Sequence, residues 1–277
     1  NAISVIPNAG VFILGCDSTK VYYTTDLGNS WSKIAAAEGV GTNKMLGSLM
    51  KDGEFGYFFS QNNSLLKLKA EAKTVKLWEK APGELSFFKN DHCTRSVSYN
   101  AATDHLLVAS RSDSSLVRVI DAATGDPLFS LATPEGGYTG GTYYINIVRA
   151  DADGVIYVCN LTTSGTGFKI YRYADETAIP TVAFAGDVSG RVGDAFTLTG
   201  DGTETVLYVS GSSNTKIHRF VTADGETFTL DGSITVGTGL ARGGISVITD
   251  AENEEFWVNG AGSSTSHIDG TGGNQRR

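Results

Sequence analysis

Short apolar runs separated by polar turns recur along the whole chain. The most regular of these runs are three residues long. They are Phe12-Ile13-Leu14, Tyr57-Phe58-Phe59, Leu106-Leu107-Val108, Ile156-Tyr157-Val158, Leu207-Tyr208-Val209 and Phe256-Trp257-Val258. Their first residues, numbers 12, 57, 106, 156, 207 and 256, lie about 50 positions apart. Self-similarity at a fixed period of this size is typical of propellers and solenoids.

Each repeat unit predicts four strands. In the fourth unit a run at residues 144–148 precedes the triplet, a run at 169–173 follows a polar loop, and a looser run at 181–184 comes last. These runs are rich in β-branched and aromatic residues and are bounded by Gly, Asn and Asp. No stretch shows the apolar spacing of a helix. Since a lone blade cannot bury both of its faces, ringed blades bury them against each other. We therefore predict an all-β fold, a β-propeller with six blades of mostly four antiparallel strands.

The last unit is less complete than the others. Its first three strands are predicted around Ile245, Phe256 and His267-Ile268, but no apolar run follows for a fourth strand. Either the sixth blade has three strands, or a segment upstream of residue 1 completes it; a truncated seven-bladed ring is a further alternative. We expect residues 1–277 to form a single propeller domain.

Composition narrows the class of protein. The 34 glycines suit a turn-rich all-β chain, and a net charge of −8 disfavours a nucleic-acid or anionic-membrane surface. No run approaches 18 apolar residues, so no membrane span is expected, and no signal segment is present in this chain.

Cys16, Cys93 and Cys159 are too few and too scattered for a disulfide framework or a zinc site, so we expect free buried thiols. His218 and His267 fall at matching places in two units but lack a third ligand, and we interpret them as partly exposed strand residues. We expect a monomer.

One turn resembles a known family motif. The segment Thr24-Thr25-Asp26-Leu27-Gly28-Asn29-Ser30-Trp31 is similar to the Asp-box of sialidases, sortilin-type receptors and related propellers. The resemblance implies a turn between the third and fourth strands of a blade. In it Thr24, Asp26, Gly28 and Ser30 form the hydrogen-bonded turn and Trp31 packs into the blade. Its role in that family is structural. In style the chain also resembles exported propellers of unknown function from Gram-negative bacteria, which implies an extracellular, periplasmic or cell-surface location.

One set of loops carries the candidate binding residues. In propellers the loops before first strands and the loops between second and third strands share one face, and function tends to lie on such loops. Arginines converging there could bind a carboxylate or sulfate, and tyrosines could stack on sugar rings. The alternative is that these arginines pair with nearby acidic residues. The candidates are Arg95, Tyr138, Tyr143, Asn146, Arg191, Asp194 and Arg242.

Two enzyme families offer a rival interpretation. Asn146 and Asp194 begin first strands in adjacent units, where calcium-dependent six-bladed lactonases place axial ligands, but the Glu of that family is absent near residues 1–3. A sialidase would need an Arg before Ile6-Pro7, which is absent, and a Tyr/Glu pair, of which none stands out in this sequence. We therefore predict a non-enzymatic module without a cofactor that binds a glycan or protein through its polar face and axial mouth. A hydrolase or lactonase that uses the same mouth, with calcium, and a structural scaffold remain the alternatives.

Overall fold

The computed structural model describes most of the central part of the chain and the strands on either side of it. The described backbone covers residues 2–6, 11–16, 20–24, 30–33, 45–51, 55–60, 65–69, 75–89, 91–112, 114–240, 245–250, 253–260, 263–270 and 274–276. Side chains are described for residues 22, 30–32, 77–89, 91–112, 114–236, 255–258 and 266–270.

Within these ranges the strands form six four-stranded antiparallel sheets, each built from consecutive strands. The first sheet contains β1 (Ala2–Ile6), β2 (Val11–Cys16), β3 (Lys20–Thr24) and β4 (Ser32–Lys33). The second contains β5 (Met45–Lys51), β6 (Phe55–Ser60), β7 (Leu65–Lys69) and β8 (Val75–Lys80). The third contains β9 (Thr94–Asn100), β10 (His105–Ser110), β11 (Leu116–Asp121) and β12 (Pro127–Ser130).

The remaining three sheets repeat this order. The fourth contains β13 (Tyr143–Ala150), β14 (Ile156–Leu161), β15 (Phe168–Tyr173) and β16 (Thr181–Gly186). The fifth contains β17 (Ala195–Thr199), β18 (Val206–Ser210), β19 (Asn214–Thr222) and β20 (Phe228–Leu240), with a short 3-10 helix at Gly202–Glu204. The sixth contains β21 (Ile245–Asp250), β22 (Asn253–Gly260), β23 (Ser263–Asp269) and β24 (Asn274–Arg276).

Alternate residues of β14 explain why its sequence is apolar throughout. Ile156 and Val158 pack into a core between the third and fourth sheets, while Tyr157 and Cys159 pack into a core between the fourth and fifth. All four side chains are buried, because side chains along a strand point alternately to its two faces. The fourth sheet is therefore covered on both faces by its neighbours.

The first strands of the sheets lie beside one another. In order along the chain, β1 contacts β5, β5 contacts β9, β9 contacts β13, β13 contacts β17, β17 contacts β21, and β21 contacts β1. Two serines of β9 accept hydrogen bonds from backbone N–H groups of the neighbouring first strand, β13. Ser96 Oγ accepts the Val148 N–H at 2.8 Å, and Ser98 Oγ accepts the Ala150 N–H at 3.0 Å. These bonds matter because an unpaired strand edge is a site of aggregation and of unsatisfied backbone groups.

The structure confirms the all-β class with four-stranded antiparallel sheets and extends the predicted strand set. β24 pairs with β23 and supplies the fourth strand of the sixth sheet, which the sequence pattern did not reveal because β24 is wholly polar. In the part of the chain that is described, no helix is long and apolar enough to cross a membrane.

The segment that resembles an Asp-box, residues 24–31, lies at the connection between β3 and β4. Asp26 and Gly28 lie outside the described residues. The Trp31 side chain is 38% exposed, which is more than a tryptophan packed into a sheet would be. Cys159 is a buried free thiol and Cys93 a half-buried one, while the side chain of Cys16 lies outside the described residues.

Candidate functional site

Residues from three neighbouring sheets meet at the starts of their first strands. Arg95, on β9, donates from Nε to Asn146 Oδ1 on β13 at 3.3 Å. Asn146 is buried and donates from Nδ2 to the Gly193 carbonyl at 2.6 Å, just before β17. An unpaired buried amide would cost free energy, and in Asn146 both the side-chain oxygen and the side-chain nitrogen form hydrogen bonds. The bonds connect the third, fourth and fifth sheets at one end of their first strands.

Next to Gly193 in the chain, Arg191 and Asp194 form a bidentate ion pair. Arg191 Nε lies 2.5 Å from Asp194 Oδ2, and Nη2 lies 2.8 Å from Oδ1. The Ser212 N–H also donates to Oδ2, at 2.8 Å. Burial alone would raise the pKa of Asp194, but the hydrogen bonds from Arg191 and Ser212 hold that pKa below its ordinary value. Asp194 is therefore a fixed negative charge.

The structure adds Arg111 to the predicted residues. Arg111 follows β10, and its Cζ lies 3.9 Å from the centroid of the Tyr143 ring. Its Nε and Nη1 are buried and have no hydrogen-bond partner among the described residues. Burial lowers the pKa of Arg111, and the nearby charge of Arg95 lowers it further. We use the name arginine cluster for Arg95, Arg111 and Arg191 together with Asp194.

The sequence carries a signal that distinguishes Arg111. Arg111 is the only basic residue in the polar loops between second and third strands, at residues 60–64, 110–115, 160–167, 210–215 and 259–265. A lone cation in loops that share one face is a reasonable candidate for an anion site. The arginines predicted from the sequence all precede first strands, so Arg111 is not among them.

The tyrosines near the arginine cluster have two different environments. Tyr143 and Tyr144 are 46% and 52% exposed. Tyr138 is only 7% exposed; its hydroxyl meets that of Tyr173, and its ring meets the Tyr171 ring edge-on at 5.1 Å. Tyr138 therefore holds the loop that leads to β13, whereas the rings of Tyr143 and Tyr144 are exposed.

His218 contacts the segment that leads to Arg191. It was predicted to be partly exposed, but the structure shows it buried. Its side chain is buried, with Nδ1 2.8 Å from Ser233 Oγ and Nε2 3.0 Å from the Ser189 carbonyl. Asn214 Nδ2 donates to the carbonyls of Ser189 and Arg191 at 3.1 and 3.0 Å. Burial lowers the pKa of His218, so its neutral form belongs to the native structure.

The oxygens of the lactonase-like pair, Asn146 and Asp194, are already hydrogen-bonded to arginines. Among the side chains described, no group of three or more His, Cys, Asp or Glu is placed to hold a metal ion. Asn146 and Asp194, the lactonase-like pair, direct their oxygens at Arg95 and Arg191. A calcium ion there would have to displace guanidinium groups from those oxygens. Arg242 lies outside the described residues.

Comparison with known proteins shows the fold alone. No family model and no curated protein sequence matches this chain. It is similar to the structure of a DUF4623 family protein from Bacteroides eggerthii DSM 20697, with a TM-score of 0.53 and 15% identity over 99% of this chain and 71% of that one. It is also similar to a structure of the nidogen/laminin complex, with a TM-score of 0.63 and 11% identity over 96% of this chain and 92% of that one. The chain thus has an all-β, propeller-like fold built from four-stranded antiparallel sheets.

Proposed function

We propose that this chain is a non-enzymatic binding module that takes an anionic ligand at the arginine cluster, and that an acidic glycan is the ligand class that fits best. One observation carries the proposal. Arg95 and Arg111 both contact the start of β13, at Asn146 and Tyr143, and neither forms an ion pair with a described carboxylate.

The free energy of buried charge supports this assignment. The three guanidinium groups of the cluster share one carboxylate, Asp194, so positive charge is left unbalanced in a partly buried place, and neighbouring cations add their mutual repulsion. A carboxylate that entered between Arg95 and Arg111 would offset both effects and would supply acceptors for Nε and Nη1 of Arg111. The exposed ring of Tyr143 offers apolar area with a polar edge, which suits a sugar ring.

The wider arrangement of the molecule is part of the same proposal. We infer that the six sheets are the blades of one closed ring, a view supported by the contacts between successive first strands and between β21 and β1. The arginine cluster would then lie at one axial mouth. An extracellular or periplasmic location is proposed from the composition, which is low in Lys and Arg and rich in Gly.

The environment of Asp194 argues against a hydrolase at this place. A general acid or base needs a pKa near the working pH and access to the reacting group. Asp194 instead has a lowered pKa, accepts bonds from Arg191 and Ser212, and has an 8% exposed side chain. These properties favour a binding role.

Titration calorimetry with acidic and neutral oligosaccharides of equal length tests the proposal. We expect binding of the acidic members, and we expect Arg111→Ala and Arg95→Ala to weaken it by about tenfold or more, the effect of losing one charge-assisted hydrogen bond. Arg219→Ala is the matched control, because Arg219 pairs with Asp231 on the outer strand β20. Equal binding of neutral sugars, or equal loss in all three variants, would refute an anion site here.

A further inference from the structure

Asp194 is placed inside the arginine cluster and is fully engaged there. Its Oδ1 accepts from Arg191 Nη2, and its Oδ2 accepts from Arg191 Nε and from the Ser212 N–H. Among the described side chains, it is the only carboxylate that an arginine of this cluster contacts. Its position is thus fixed before any ligand arrives.

Asp194 already occupies the edge of Arg191 that an external carboxylate would use. A guanidinium binds a carboxylate best through two parallel N–H groups, and Arg191 directs its Nε and Nη2 at Asp194 in this way. Arg191 is therefore closed to a ligand along that edge. The donors left for a ligand belong to Arg95 and Arg111.

The negative charge of Asp194 also extends to those two arginines. Asp194 directly follows Gly193, whose carbonyl accepts from Asn146. Asn146 in turn accepts from Arg95 Nε. The charge of Asp194 acts to raise the pKa of Arg95 and of Arg111. A ligand charge held between Arg95 and Arg111 would accordingly be repelled by Asp194. Since the energy between two charges is proportional to each of them, a doubly charged ligand is repelled twice as strongly as a singly charged one.

We propose that Asp194 sets the charge selectivity of this site, so that it favours singly charged carboxylates, such as a uronate, over doubly charged groups, such as a phosphate monoester. The inference rests on the proposed function, namely that the arginine cluster binds an anionic ligand. Asp194 acts in two ways: it removes Arg191 from the set of ligand donors, and it places a fixed negative charge beside the ligand.

Asp194→Asn tests the inference with little change of shape. The Asn oxygen can still accept the Ser212 N–H, while the charge is removed and Arg191 is released. The probes are glucuronic acid, with one negative charge, and glucose 6-phosphate, which carries nearly two at pH 7.5 because its second pKa is about 6. We expect the variant to gain about tenfold in affinity for the first and about a hundredfold for the second, because the effect scales with ligand charge. The preference between the two probes should therefore change about tenfold.

Asp231→Asn is the matched control, since it removes the same charge from an exposed pair with Arg219. It should leave the preference unchanged. If the native protein binds neither probe and no acidic oligosaccharide, the proposed function itself fails. If it binds them and Asp194→Asn leaves their ratio as it was, the function stands and the role given to Asp194 is overturned.

A second variant keeps the test decisive if Asp194→Asn does not fold. Arg191→Gln leaves the charge of Asp194 in place and removes its partner. It should weaken the binding of glucose 6-phosphate more than that of glucuronic acid. An equal loss for both probes would overturn the inference.

Discussion

The guanidinium of Arg111 lies over the ring of Tyr143, with 3.9 Å between Cζ and the ring centroid. Arg111 belongs to the third sheet and Tyr143 begins the fourth, so this cation–π contact joins two sheets at the place where a ligand is proposed to bind. It also holds Arg111 in one position while two of its nitrogens remain without partners among the described residues.

Replacing the ring of Tyr143 should affect both stability and binding. We expect Tyr143→Leu to lower the free energy of unfolding by about 1 kcal/mol, the usual size of a partly exposed cation–π contact. Affinity for acidic oligosaccharides should fall as well, because Arg111 loses the surface that orients it. Urea unfolding and calorimetry measure the two effects. Tyr144→Leu is the control, and equal losses in both variants would contradict a specific role for the Arg111–Tyr143 contact.

Asn146 should be costly to shorten. Asn146→Ala removes the acceptor of Arg95 Nε and the donor to the Gly193 carbonyl, both in a buried place. We expect a loss of about 1–3 kcal/mol, the usual cost of leaving a buried polar group unsatisfied. Chemical denaturation measures it, and a loss below about 0.5 kcal/mol would show that neither bond stabilises the fold.

His218 should make the protein sensitive to acid. Its pKa is lowered by burial from 6.5, so above pH 6.5 the residue is neutral in both the native and the unfolded states. Below pH 6.5 the unfolded chain takes up a proton that the native protein resists, and stability falls until the pH drops through the lower native pKa. Unfolding of the native protein and of His218→Asn at pH 7.5 and 5.5 tests this. The native protein should lose more stability between the two values than the variant does.

The serines of β9 should hold the fourth sheet in place. Ser96→Ala and Ser98→Ala each remove the side-chain acceptor of a β13 N–H group, and each should cost about 1–3 kcal/mol. Hydrogen exchange offers a local measurement, since the amides of Val148 and Ala150 should lose protection. Ser164→Ala, at an exposed loop position, is the control, and unchanged exchange at both amides would refute the prediction.

The strands were predictable where both faces of a sheet are buried. β14 is apolar at successive positions because its side chains enter two different cores, and this produces the repeated triplets. β24 could not be found in the same way, since Asn274–Arg276 contains no apolar residue and is defined by its pairing with β23. Hydrophobic pattern reports burial, and a polar edge strand has no such signal.

The site was only partly predictable, for a different reason. Arg95 and Asn146 are 51 positions apart, close to one repeat period, so their proximity follows from stacking equivalent positions of adjacent units. The period does not say which side chains bond. The pairing of Arg191 with Asp194 was foreseen only as an alternative, and the burial of Tyr138 and His218 depends on packing that local sequence does not encode.

The bonds between first strands have a consequence for how such a chain can change over evolutionary time. The units look interchangeable in their apolar triplets, yet serines bond the third sheet to the fourth, and an asparagine bonds the fourth to the segment before the fifth. A hydroxyl recurs at the place of Ser98, because Ser4, Ser48, Thr197 and Ser246 pair with the equivalent residue of their second strands. A unit that was duplicated or moved would therefore keep a hydroxyl at this boundary, whereas the bond from Asn146 to the Gly193 carbonyl depends on one particular neighbour. Such a chain could grow or be rearranged by copying whole units, with selection then acting on the few polar contacts that differ between boundaries.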